Sequence, residues 1–124
     1  MTIKERTAYS KAISSLRNWM TTAVIRPYYR LKSYGADELI KRLVDNSQDI
    51  NTVWYTMEED KYSGLYHLHL LIDAEVTPES LAKDAGLNDR FVNYCQEIES
   101  PEAITGYVNK RLGKANNHHN IFYK

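Results

Sequence analysis

The sequence predicts an α+β fold in which a small, mainly antiparallel sheet carries helices on one face. Two observations predict it. Helical and strand-like patterns alternate along the chain, and the segments Asn51 to Glu59 and Leu65 to Asp73 form a hairpin pattern around a short turn. A chain of 124 residues also has the size of a single domain. We therefore expect one domain over residues 1–124.

The first part of the chain predicts two helices and a strand between them. Apolar residues recur at helical spacing from about Arg6 to Met20. Thr21 to Tyr29 is rich in β-branched and aromatic residues, and Pro27 restricts it to an edge strand or to a strand that ends there. A second amphipathic helix is expected from Gly35 to Asn46, because its apolar residues again fall on one face.

The second part of the chain carries two helix start signals. Thr77-Pro78-Glu79 and Ser100-Pro101-Glu102 each combine a capping hydroxyl, a proline at the first helical position and an acid in the first turn. The first of these helices is expected to end at Gly86 and the second near Leu112. Arg90 to Glu97 alternates like a strand. The summed order predicts a ferredoxin-like or RRM-like sheet of about four to five strands.

Composition limits the classes of function. The 16 basic and 16 acidic side chains give no net charge, so contact with nucleic acid would need a local basic patch. Cys95 is the one cysteine, which excludes an internal disulfide. The N-terminal residues are too polar for a signal peptide, and no apolar run is long enough to cross a membrane. We therefore expect a soluble, cytoplasmic protein with no membrane partner.

The most informative segment is Tyr66 to Ile72, a strand pattern that contains His67 and His69. Side chains two apart on a strand point to the same face, so both imidazoles can bind one metal ion. The competing interpretation is a pair of half-buried histidines that are hydrogen-bonded within a sheet. Glu58 and Glu59 end the preceding strand, and alternation allows only one of them to join the histidines. Two imidazoles and a carboxylate suit Zn, Mn, Fe or Mg.

A second candidate is the pair Tyr107 and Lys110 in the last predicted helix. Side chains three apart on a helix lie on one face, about 5–6 Å from each other. The 10 tyrosines of the chain make a chance Tyr-x-x-Lys common, so the pair alone identifies no activity.

Together, the His-Leu-His strand, the acid before the hairpin turn and the downstream Tyr-x-x-Lys resemble the HUH endonuclease superfamily. The resemblance covers Val53 to Lys114, and its nearest branch is the single-tyrosine rolling-circle replication initiators, or Rep proteins. It implies that His67, His69 and an acid hold a divalent cation, Mn²⁺ or Mg²⁺. The family's usual spacing from acid to histidine selects Glu59, and Glu58 is the alternative if the turn is one residue looser.

The resemblance also assigns roles to the helix residues. Tyr107 corresponds to the nucleophile and Lys110 to the lysine that positions DNA or the tyrosine. Arg111 stands where a two-tyrosine enzyme would carry its second tyrosine. Thr21 to Ile25 corresponds loosely to the family's Thr-rich first-strand motif.

The implied activity is nicking and rejoining of single-stranded DNA through a covalent 5′-phosphotyrosine, which initiates rolling-circle replication of a virus, phage or plasmid. The implied partners are single-stranded DNA at a replication origin and the host helicase and polymerase. A homodimer is one option for the oligomeric state, and a viral protein would act in the host-cell cytoplasm. Tyr-x-x-Lys favours replication over plasmid mobilisation or transposition.

Two basic segments are candidate DNA contacts. The first interleaves aromatic with basic residues, as expected where bases stack beside phosphates, and offers Arg26, Tyr28, Arg30 and Lys32. A solvated strand end gives the same pattern. The second comprises Lys110, Arg111 and Lys114. A helix C-terminus also attracts cations through its dipole. The segment Asn116 to Asn120, with His118 and His119, is expected to be a polar tail rather than a metal site.

Two other functions remain open at this point. Two histidines and a carboxylate also form the facial triad of non-haem Fe(II) oxygenases, although those sites usually lie in a fold with many more strands. A non-catalytic DNA-binding module with the same fold is the other alternative.

Overall fold

The computed structural model describes residues 2–110 and 117–124. Within them, four α-helices and five strands form an α+β fold, which confirms the predicted class. The elements in chain order are α1 Ile3–Leu16, β1 Thr21–Ile25, α2 Ser33–Asn46, β2 Thr52–Glu59, β3 Tyr66–Ile72, α3 Pro78–Ala85, β4 Val92–Glu97, α4 Pro101–Val108 and β5 His118–Tyr123. A single 3₁₀ turn, Asp89–Phe91, leads into β4.

The strands are ordered β4-β1-β3-β2-β5, and every neighbouring pair is antiparallel. β1 therefore lies inside the sheet, paired with β3 on one side and β4 on the other. Of the two options for the segment with Pro27, the structure takes the strand that ends early. β1 stops at Ile25, so the proline, which has no N–H to donate, lies beyond the ladder.

Helices cover both faces of the sheet, whereas the sequence analysis expected one. Leu43 of α2 and Leu81 of α3 join Leu68 of β3 in the main core. On the opposite face, Ile13 of α1 and Val108 of α4 belong to a smaller core. The physical reason is that β2 and β3 also present large apolar side chains, a tryptophan and a leucine, to this second face. These side chains lose contact with water only when α1 and α4 cover them.

The β2–β3 hairpin behaves as predicted and sets the register of the site. The N–H of Asp60 donates to the carbonyl of Leu65 at 2.6 Å, and Gly64 takes a φ of +70°, which favours glycine. In the resulting register Glu58 pairs with His67, and Thr56 pairs with His69.

The prediction of a polar tail was wrong, because residues 118–123 form strand β5, which pairs with β2. Ile121 and Phe122 supply the reason: one contacts the smaller core and the other the main core, on opposite faces of the sheet. The segment is short and half polar, so its sequence gives only a weak strand signal.

A search of the described residues for a helix long and apolar enough to cross a membrane finds none.

Candidate active site

The two histidines of β3 converge with a glutamate of β2 on the face that α4 covers. The Nε2 atoms of His67 and His69 lie 3.1 Å apart. The Oε2 atom of Glu58 is 3.5 Å from the Nε2 of His69 and 3.8 Å from that of His67. All three side chains are largely shielded, with 8–14% of each exposed. Three donor atoms therefore point at one small volume beneath the surface.

The carboxylate beside the histidines belongs to Glu58. The predicted preference for Glu59 was therefore wrong, and the alternative, Glu58, is correct. Directly opposite residues in an antiparallel pair point to the same face, and Glu58 is opposite His67. Glu59 is opposite Tyr66 and exposed, which places it on the alternate face of the strand. Spacing along the chain could not settle this choice, because the turn conformation determines the register.

The geometry fits a divalent cation. The ligand atoms of Glu58, His67 and His69 all lie within 4.8 Å of one another, and among the described residues they form the single such group of three. A cation about 2.1 Å from each donor would separate neighbouring donors by about 3.0 Å in octahedral or about 3.4 Å in tetrahedral coordination. The separation of 3.1 Å between the two nitrogens lies within this range, and the carboxylate separations of 3.5 and 3.8 Å lie slightly above it. Two imidazoles and one carboxylate also leave coordination positions for oxygen ligands from a substrate.

Both imidazoles are held in the neutral form that metal binding requires. Burial, the largest cause, together with the nearby His67, Lys110 and Arg26 lowers the pKa of His69 to about 4. Burial is also the main cause that lowers the pKa of His67, with Arg26 adding to it and Glu58 opposing it. The contacts with Glu58 at neutral pH are therefore contacts between a carboxylate and neutral rings.

Tyr107 of α4 lies against this group. Its ring is 5.8 Å from the ring of His69, centroid to centroid, in an edge-to-face arrangement with an interplanar angle of 81°. About half of Tyr107, 54%, remains exposed to solvent. The Nζ of Lys110 stands 4.2 Å from the centre of the Tyr107 ring, so the predicted pair is in contact. The contact is not made along a helix face as expected, because α4 ends at Val108 and Lys110 lies in the turn that follows. The structure thus brings together His67, His69, Tyr107 and Lys110 as the sequence analysis expected.

Two buried side chains of β2 hold the end of α4 in this position. The hydroxyl of Thr56 donates to the carbonyl of Val108 at 3.0 Å. The indole N–H of Trp54 donates to the Oδ1 of Asn109 at 2.9 Å, and Asn109 has no exposed surface. Both anchoring bonds span more than fifty positions of sequence. Sequence reasoning missed these anchors, since nothing in the local pattern marks either side chain.

Two open cavities flank the histidines. One, of about 360 Å³, lies between β1, β4 and α4, and reaches His69 and Tyr107. The other, of about 500 Å³, lies at the hairpin turn and reaches Glu58 and His67. Arg26 lines both cavities, and its Nη1 is 3.1 Å from the Oδ2 of Asp60. The Arg26 guanidinium thus lies between the two cavities that lead to the histidines.

The other predicted DNA contacts are distributed differently. Tyr28 lies next to Phe91, with ring centroids 5.0 Å apart. Arg30 and Lys32 line a separate cavity of about 510 Å³ beside Met57, a residue of the main core, so the structure does not bring them to the histidines.

Arg111 and Lys114 lie outside the described residues, and their predicted roles remain predictions. The Nε2 of His118 contacts the Oδ1 of Asp37 at 2.9 Å, and Asp37 also accepts hydrogen bonds from Tyr55 and Asn120. The Asp37 carboxylate thus ties α2 to β2 and β5. In the described part of the chain, neither His118 nor His119 belongs to a group that could hold a metal.

Comparison of the chain with protein-family models, with curated proteins and with solved structures gives no match.

Proposed function

We propose that this protein is a metal-dependent enzyme that nicks and rejoins single-stranded DNA through a covalent 5′-phosphotyrosine, as a single-tyrosine HUH endonuclease. The observation that carries the proposal is the position of Tyr107 against His69, beside the convergent Glu58 and His67. A half-exposed tyrosine next to a candidate metal centre is the pair of groups that phosphoryl transfer to tyrosine needs.

Glu58, His67 and His69 would hold the cation, Mn²⁺ or Mg²⁺, and one bound there would supply Lewis-acid polarisation of the scissile phosphate. The Tyr107 oxygen attacks phosphorus in line and loses its proton to solvent. A P–O bond to tyrosine forms, the P–O3′ bond breaks, and the departing 3′ oxygen takes up a proton. Attack by a 3′-hydroxyl on the phosphotyrosine reverses these changes and rejoins the strand.

The surrounding side chains assist the attack electrostatically. A phenol with an ordinary pKa near 10 is only about 0.1% ionised at pH 7, so the nucleophile needs nearby positive charge. Lys110, whose Nζ lies 4.2 Å from the ring centre, provides charge on the side of the tyrosine. Arg26 lines the two cavities where a phosphate would enter and can donate to it, with Asp60 offsetting part of its charge. Attraction of this kind is local, consistent with a chain of zero net charge.

Within this proposal the substrate is single-stranded DNA at a replication origin, and the biological role is initiation of rolling-circle replication, with host helicase and polymerase as partners. The motif resemblance supports this finer assignment. The covalent bond between the 5′-phosphate and the tyrosine preserves the energy of the broken phosphodiester bond, and the freed 3′-hydroxyl can prime DNA synthesis.

The same donor set is compatible with a facial-triad Fe(II) oxygenase. The Tyr107–Lys110 pair favours nicking, because an oxygenase has no need of a phenol and an ammonium group beside its metal. A non-catalytic module with this fold would need neither the convergent donors nor the half-exposed tyrosine.

The test is incubation of the protein with a pool of single-stranded oligonucleotides and Mn²⁺, followed by denaturing electrophoresis. A 3′-end label should stay with the protein and a 5′-end label should be released, because the tyrosine bonds to the 5′-phosphate. Tyr107→Phe should abolish the adduct, and Tyr123→Phe, at an exposed tyrosine on the distant edge strand β5, should leave it unchanged.

Lys110→Ala should slow formation of the adduct without preventing it, because the lysine supplies charge and not the attacking atom. A protein-linked 3′ label in Tyr107→Phe would show that another residue is the nucleophile. Oxoacid-dependent consumption of O₂ in the presence of Fe²⁺, without any adduct, would establish the oxygenase instead.

A further inference from the structure

An exposed aromatic cluster lies at the end of the sheet nearest Arg26. Tyr28 and Tyr29, in the segment after β1, both contact Phe91, in the 3₁₀ turn before β4. The ring centroids are 5.0 Å apart for Tyr28 and Phe91 and 6.4 Å apart for Tyr29 and Phe91, and both pairs are edge-to-face. We call Tyr28, Tyr29, Phe91 and the neighbouring Arg90 the aromatic platform.

The platform keeps much of its aromatic surface in water. Tyr28 is 64% exposed and Tyr29 is 48% exposed, while Phe91 is half-buried. Edge-to-face packing holds the rings together without covering their outer faces. Adjacent exposed rings leave apolar surface in contact with water, which is unfavourable unless a partner covers it.

The platform also carries positive charge. The guanidinium of Arg90 lies 5.5 Å from the centre of the Tyr28 ring and 5.6 Å from that of Phe91, which is the range of cation–π contacts. The N–H of Arg26 donates to the carbonyl of Phe91 at 2.8 Å. Arg26 itself lines both cavities beside the histidines. Arg26 therefore joins the two regions: its backbone is bonded to the platform, and its side chain lines the cavities of the candidate active site.

We propose that the aromatic platform stacks unpaired bases of the DNA strand whose phosphate enters the candidate active site. This inference rests on the proposed function and adds the place where the strand is held outside the catalytic centre. Exposed ring faces that alternate with guanidinium groups match a flexible polyanion with aromatic bases. A duplex matches less well, since its bases are already stacked on one another. An acidic peptide would use the arginines but would leave the tyrosine faces uncovered.

The test measures binding without chemistry. A fluorescein-labelled single-stranded oligonucleotide of about 12 thymidines, within the site sizes of single-strand binders, is titrated with protein in excess chelator and followed by anisotropy. Tyr28→Ala should raise the dissociation constant about tenfold, since loss of one stacked base has that order of effect. Tyr28→Trp should restore binding, and Tyr28→Leu, which keeps apolar area but no ring, should not.

Two controls separate stacking from other effects. Tyr123→Ala removes a tyrosine that is 67% exposed, on the opposite edge of the sheet, and should leave the dissociation constant unchanged. An abasic oligonucleotide of the same length should bind wild type and Tyr28→Ala equally, because it retains the phosphates and lacks the bases. Circular dichroism should show that the variants keep the fold.

An unchanged dissociation constant in Tyr28→Ala would overturn the proposal. So would an equal loss on the abasic strand, which would indicate a purely electrostatic or structural role, or an equal loss on duplex DNA. If the protein nicks DNA but Tyr28→Ala leaves the dissociation constant unchanged, only the platform proposal is rejected. Binding that depends on Tyr28, without any covalent adduct under Mn²⁺, would reject the nuclease alone.

Discussion

Replacing Glu58 by glutamine tests the composition of the candidate metal centre most directly. Glutamine keeps the length and the carbonyl oxygen of the side chain, so the substitution removes mainly the negative charge. Glu59→Gln is a matched control, because the two glutamates are adjacent on β2 and differ in the face they occupy. We expect Glu58→Gln to weaken Mn²⁺ binding and Glu59→Gln to leave it nearly unchanged.

The expected magnitude follows from distance. The Oε2 of Glu58 lies 3.5 Å from the nearest imidazole nitrogen, that of His69. A cation bound to the two imidazoles would therefore also be within coordination distance of the carboxylate. Two unit charges about 4 Å apart attract by about 4 kcal/mol at an effective dielectric constant of about 20, and a divalent cation in coordination contact with the carboxylate is attracted more strongly. Water that replaces the carboxylate recovers a large part of this. We expect about a 10- to 100-fold rise in the dissociation constant of Mn²⁺, which corresponds to about 1.4–2.7 kcal/mol.

The measurement is titration of Mn²⁺ into each variant, with free Mn²⁺ followed by its paramagnetic resonance signal and the fold checked by circular dichroism. His67→Ala serves as the reference for loss of a metal ligand. A loss of affinity in Glu59→Gln as large as that in Glu58→Gln would refute the register argument. Equal Mn²⁺ affinity in Glu58→Gln and wild type would show that Glu58 is not a ligand.

Two further predictions concern stability in the absence of metal. The free energy of unfolding should fall by up to about 3 kcal/mol as the pH is lowered from 6.5 to about 4. The reason is that the pKa of His69 in the folded protein is lowered to about 4, mainly by burial. The stabilising contribution of His69 is complete above pH 6.5 and is lost as the pH falls through this interval. Urea unfolding across this range should show the dependence, and a His69→Gln variant with an unchanged dependence would contradict it. Asn109→Ala should cost about 1–3 kcal/mol, because it leaves the buried indole N–H of Trp54 without its acceptor. An equal cost for Asn51→Ala, at an exposed position, would refute the assignment of Asn109 as an anchor.

Local patterns were enough to predict most of the secondary structure. The hairpin that carries His67 and His69, and the helix starts at Thr77 and Ser100, depend on residues close together in sequence. In the structure Thr77 Oγ1 accepts from the N–H of Ser80, and Ser100 Oγ from that of Ala103. Such signals survive in the sequence because the interacting groups are within one turn of each other.

The assembly of the site needed contacts that the local pattern does not encode. Which glutamate joins the histidines depends on the conformation of the hairpin turn, and a shift of one residue exchanges the two faces of a strand. The position of Tyr107 depends on α4 crossing the second face of the sheet, where Thr56 and Asn109 fix its end. The part of Phe91 in the aromatic platform depends likewise on β4 pairing with β1.

The sequence by itself determined the chemistry available: two imidazoles on one strand face, carboxylates before the turn, and a tyrosine closely followed by a lysine. Periodicity expresses these relations because strand and helix geometry repeat over two to four residues. Only the tertiary structure decided that Glu58 completes the group, that helices cover both faces and that residues 118–123 form an edge strand. Those outcomes depend on burial of side chains distant in sequence, such as Trp54 against Val108, where the free energy belongs to the contact and not to either segment alone.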